Sequence, residues 1–113
     1  MRLRVTVTGL ADRTGPGGRY LGVKLRMRST GITVFESEMR NARVRYSNGR
    51  RAPAAFGVKA GCSHGFQRHM RVAVGATVRG CVLFRRPAGA QPRTFKLALE
   101  SEPIQQGGLW RLG

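Results

Sequence analysis

Acid is what this chain has least of. Five of its 113 residues are Asp or Glu, against 21 Lys and Arg, which leaves a formal net charge of +16. That shortage argues against a site built from several carboxylates, such as a calcium cage. Two close pairs exist, Glu36 with Glu38 and Glu100 with Glu102. Among so many arginines they read as surface ion pairs worth little each rather than as acid–base couples. Lysine is scarce too, with 3 against 18 arginines. Aromatic residues make up 7%, with one Trp and two Tyr. That is too few to interleave a stacking platform for single-stranded nucleic acid. No apolar run approaches the length that crosses a bilayer. Met1-Arg2-Leu3-Arg4 passes straight into alternation, with no apolar signal-peptide core. No stretch has helical periodicity.

Strand patterning is abundant. In "RLRVTVTGL", Leu3, Val5 and Val7 share one face and Arg4, Thr6 and Thr8 the other. "RYLGVKLRMRSTG" sets Leu21, Val23, Leu25 and Met27 inward and Lys24, Arg26 and Arg28 outward. "ADRTGPGGR" between them reads as a Gly/Pro loop. Its "GPGG" is a turn, lacking the helix and Lys-Ser/Thr of a phosphate loop. "ITVF" at 32–35 is a short apolar strand. "NARVRYSNGRR" alternates Ala42, Val44 and Tyr46 with Arg43 and Arg45, then meets Asn48-Gly49, a strong hairpin-turn signal. A weaker strand to about Phe56 is broken by Pro53. Met70 to Val74, Val78 to Phe84 and Phe95 to Leu99 follow, with a Gly75-Ala76 bend after the first. About seven to eight short strands predict an all-β fold, an antiparallel β-sandwich or barrel, with residues 1–113 as one domain.

"GCSHGFQRHMRVAVGATVRGC" holds both cysteines and both histidines. An even count and a position of Cys81 inside a strand favour a Cys62–Cys81 disulfide, which would stabilise the fold by about 3 kcal/mol. Zinc held by Cys62, His64, His69 and Cys81 is a second reading, but structural sites pair ligands two to four residues apart and these cysteines flank the histidines. A cysteine nucleophile with a histidine base is a third, without an elbow or an orienting acid to support it, and two buried, inert thiols are a fourth. The residues therefore predict no metal, no cofactor and no small-molecule substrate.

The charge itself is the strongest functional signal, because such a field draws polyanions. A compositional bias toward arginine would explain the Arg-to-Lys ratio but not the lack of acids. Lys24, Arg26 and Arg28 line one strand, while Arg43, Arg45, Arg50 and Arg51 cluster at the Asn48-Gly49 hairpin. If those strands are neighbours, the seven residues form one basic face, with Tyr20 near it and Tyr46 in the core.

The second half, "VAVGATVRGCVLFRRPAGAQPRTFKLALESEPIQQGGLWRL", resembles a bacterial family of immunoglobulin-like domains of unknown function, found in Gram-positive and especially actinobacterial secreted proteins and lipoproteins. The resemblance rests on Gly75, Thr77, Gly80, Val82, Phe84 and Pro87, then Phe95 to Leu99, then Gly108, Trp110 and Leu112. "YLGVKLRMRSTGITVF" and "VRYSNGRRA" agree in outline, although Ser29 or Thr30 stands where the family has Asn. Some relatives carry a telomeric-repeat-binding label for which these residues offer no physical basis. The resemblance implies an immunoglobulin-like sandwich, no enzymatic activity, and Trp110 closing one end. It also implies a place outside the cell or at its envelope. Most members are less basic, and most follow a signal peptide and linker. The expectation is a non-enzymatic extracytoplasmic module contacting an anionic wall polymer or lipid surface through arginines. The alternative is a cytoplasmic domain, with Met1 as its natural start, binding nucleic acid through phosphates alone.

Overall fold

The computed structural model describes residues 3–15, 17–29, 35–38, 42–55, 69–100 and 105–112. These form nine strands: β1 (Leu3–Gly15), β2 (Gly18–Ser29), β3 (Phe35–Glu38), β4 (Arg43–Tyr46), β5 (Arg51–Pro53), β6 (His69–Val72), β7 (Thr77–Arg85), β8 (Pro92–Glu100) and β9 (Gln105–Arg111). There is no helix among the described residues. One antiparallel sheet has the order β1-β2-β7; the other runs β5-β4-β8-β3-β6, with β9 also paired to β8. The fold is an all-β, two-sheet antiparallel sandwich.

Alternation builds the core between the sheets. Leu21, Val23, Leu25 and Met27 of β2 and Val82 and Phe84 of β7 meet Val44 and Tyr46 of β4, Ala52, Val72, and Phe95 and Leu97 of β8 in one buried cluster. Phe84 and Phe95 touch across the layers edge to face, centroids 5.9 Å apart, and Trp110 lies against Phe95 at 5.4 Å. The Tyr46 hydroxyl donates to the Arg85 carbonyl at 2.6 Å, tying β4 to the end of β7 in the opposite sheet.

Three expectations need correction. "ADRTGPGGR" is not a loop: Gly15 pairs with Gly18, and pairing continues back through Asp12 and Leu21. The chain reverses between Gly15 and Gly18, and Gly17 at φ 79° supplies the left-handed turn that a β-carbon would strain. Second, the strand after residue 68 ends at Val72, since Gly75 turns the chain at φ 71° and Val74 is exposed. Third, the tail, for which no strand was expected, forms one. β9 pairs with β8 from Glu100 to Thr94, and two adjacent glycines had masked its alternation. Gly108 leaves the space that the Trp110 ring fills: a β-carbon there would lie 2.5 Å from a ring carbon. The strand expected at 32–35 falls outside the described residues except for Phe35, which opens β3. The Asn48-Gly49 hairpin stands as expected, with Gly49 at φ 83° and Asn48 Oδ1 accepting from the Arg50 amide at 3.0 Å.

Candidate functional site

Each sheet packs one face into the shared core and carries its cations on the other, where Tyr20, Cys81 and Leu83 of the three-stranded sheet are also buried. On the three-stranded sheet, Arg4, Lys24, Arg26, Arg28 and Arg79 are all exposed. Arg4 stands directly opposite Arg28, and Arg26 directly opposite Arg79. Across such a pair the β-carbons are about 5 Å apart, and like charges there oppose folding. Thr6 and Thr77 complete the two rows. β1, β2 and β7 together hold one acid, Asp12, against Arg4, Arg13, Arg19, Lys24, Arg26, Arg28, Arg79 and Arg85.

The other sheet repeats the arrangement. Arg45 is opposite Arg51, and Arg43 is opposite Lys96, with all four exposed. On β9, Arg111 extends the Arg51-Arg45-Thr94 row, and Leu109, 68% exposed, extends the Pro53-Arg43-Lys96 row. No neighbour in these two rows is acidic. Sequence reasoning missed Arg4, Arg79, Lys96 and Arg111, because only cross-strand register sets them beside the predicted arginines.

The seven predicted cations are therefore exposed as expected, with Arg50 in the hairpin turn, but they do not make one face. β2 and β4 belong to different sheets, so Lys24, Arg26 and Arg28 point away from one layer and Arg43, Arg45 and Arg51 away from the other. Tyr20 has the outward parity of Lys24 but is buried with Leu83, and the Arg85 guanidinium lies 5.4 Å from its ring centre. Arg85 also donates to the Gly17 carbonyl at 3.0 Å, holding the β1–β2 turn.

A second polar cluster sits where the sheets part. Between Val7 and Gly9 the β1 register shifts by one residue, so the face on which its side chains fall reverses beyond that point. Leu10 and Asp12 thereby take the inward parity. Asp12 pairs with Arg86, which also donates to Gln91 Oε1 at 3.2 Å. A cleft of about 390 Å³ lies here, lined by Leu10, Leu21, Pro92, Arg93, Leu112 and these polar groups. Asp12 already neutralises Arg86, so the cleft offers an incoming anion less than the open faces do.

Burial pushes the Tyr46 phenol up to about 12, partly offset by the Arg86 charge. The folded state thus holds this proton more tightly than the unfolded chain, whose phenol titrates near pH 10. Its contribution to stability is complete below about pH 10 and is lost as pH rises through about 12. Alkaline unfolding followed by circular dichroism will show that loss, and Tyr46→Phe will flatten it while giving up the bond to Arg85, worth about 1 kcal/mol.

Cys81 is buried in β7, beside Lys24 in register, and no free cysteine occurs among the described residues. Cys62 and His64 lie outside the described residues, while His69 opens β6 opposite Glu38. Register also places Glu38 beside Glu100, a juxtaposition that sequence order gave no reason to expect. Among the described residues no group of three His, Cys, Asp or Glu could hold a metal. Comparison with protein-family models, characterised proteins and solved structures finds no match.

Proposed function

We propose that this domain is a non-enzymatic binding module whose arginine faces contact anionic polymer at a bacterial cell envelope, in keeping with the resemblance to the secreted immunoglobulin-like family. One observation carries the reading: four like-charged pairs stand directly opposite one another, with no acid in their rows. Such pairs weaken the fold unless an anion lies between them. Guanidinium groups fit phosphate oxygens with two parallel hydrogen bonds, and the threonine hydroxyls in the same rows add donors. No aromatic side chain lies in those rows, so base stacking plays no part. A Cys62–Cys81 disulfide belongs to this reading, since it suits an exported domain.

The test has two parts. Intact mass of natively produced protein, denatured without reductant, is expected to be two hydrogens below the reduced value. Titration of fluorescent teichoic acid and of double-stranded DNA across a salt series is expected to give salt-sensitive binding with teichoic acid preferred. Free thiols together with tighter DNA binding would replace the envelope reading with the intracellular one. No binding to either polymer at low salt would remove the polyanion reading altogether.

A further inference from the structure

Resting on that polyanion reading, we infer that the domain is bivalent: each outer face takes its own strand of an anionic phosphodiester polymer of the envelope, so one molecule bridges two strands. The argument is geometric. Each sheet presents two directly opposed cation pairs, Arg4/Arg28 and Arg26/Arg79 on one, Arg45/Arg51 and Arg43/Lys96 on the other. All of these project away from the shared core that joins the layers. Packed sheets stand about 10 Å apart, so the two faces look in opposite directions across the thickness of the domain. A ligand lying on one face leaves the other's repulsion uncompensated. A single-sided binder gains nothing from a second set of opposed arginines, and each set on its own opposes folding. Two occupied faces relieve both. The device needs no second copy of the chain and no motion, only the period of two that sends alternate residues of every strand outward.

Bridging is read with teichoic acid coupled to beads, fluorescent teichoic acid in solution and the intact protein between them. The wild type is expected to hold labelled polymer on the beads at intermediate protein concentration and to release it at excess, as each strand becomes separately coated. Arg26→Gln/Arg28→Gln/Arg79→Gln breaks both opposed pairs on one face, leaving Arg4 and Lys24, and Arg43→Gln/Arg45→Gln/Arg51→Gln breaks both on the other, leaving Lys96 and Arg111. Both sets replace exposed side chains and remove repulsion, and circular dichroism checks that they fold. Each variant is expected to remain on the beads while the labelled polymer it captures falls on the order of tenfold or more. Three results would overturn bivalency while sparing the polyanion reading. In the first, one variant loses bead binding entirely and the other bridges normally, so a single face does all the binding. In the second, both variants bridge as well as the wild type. In the third, the wild type binds the beads but captures no labelled polymer, because one strand wraps both faces. A wild type that never reaches the beads sinks the underlying reading instead.

Discussion

Phe95→Ala lowers the free energy of unfolding by about 3–5 kcal/mol. Phe95 is fully buried in the central cluster: Phe84 meets it edge to face from the opposite sheet, and Trp110 lies against it from β9. Removing the ring takes away its own burial and strands both neighbours beside a void. The flanking strands cannot close that void, because β8 is held by β4 on one side and β9 on the other. Domains of this size have only about 5–15 kcal/mol in hand. The variant will therefore lose about a fifth or more of its stability, read as a fall in the urea midpoint at unchanged slope. Lys96→Ala, one residue along and facing solvent, is the matched control and moves the midpoint little. Equal effects at the two positions would contradict the core assigned here.

Neutralising one opposed pair moves stability and binding in opposite directions. In Arg26→Gln/Arg79→Gln the two side chains no longer repel, and the fold gains a few tenths to about 1 kcal/mol. Binding weakens, and so does its dependence on salt. If one face of five cations lies along duplex DNA, the slope of log affinity against log salt is about −4.5, so a fourfold rise in salt weakens binding roughly 500-fold; with three cations left the slope is about −2.7 and the loss roughly 40-fold. Isothermal titration at several salt concentrations measures the slope, and urea unfolding measures the stability. A variant that is less stable, with an unchanged slope, would mean that these arginines serve the fold and not a ligand.

Alternation by itself determined much of this protein. The runs Leu21-Val23-Leu25-Met27 and Ala42-Val44-Tyr46 named half of the central buried cluster, because a strand's side chains alternate faces regardless of what it pairs with. Asn48-Gly49 placed its hairpin for a similar local reason: the turn demands a left-handed residue, and glycine supplies it. The same local rule failed at "ADRTGPGGR", where the turn lies only between Gly15 and Gly18 and the pairing partner β2 drew the flanking residues into strand. It failed again at β9, whose glycines hid a strand that β8 holds along its length.

What alternation could not supply is register between strands distant in sequence, and the candidate site consists of register. That Lys24, Arg26 and Arg28 face outward was legible. That Arg4 and Arg79 flank them, and that Arg43, Arg45 and Arg51 look the other way, was not. A strand's hydrogen-bonding groups are the same at every residue, so nothing in a single segment says which sheet it will join or which residue it will face. The one-residue bulge in β1 makes the same point on a smaller scale. It exchanges the faces of Asp12 and Arg13, and so decides that an acid rather than a base meets Arg86. Sequence set the charge and the faces; only packing two sheets around one core divided that charge between opposite sides of the molecule.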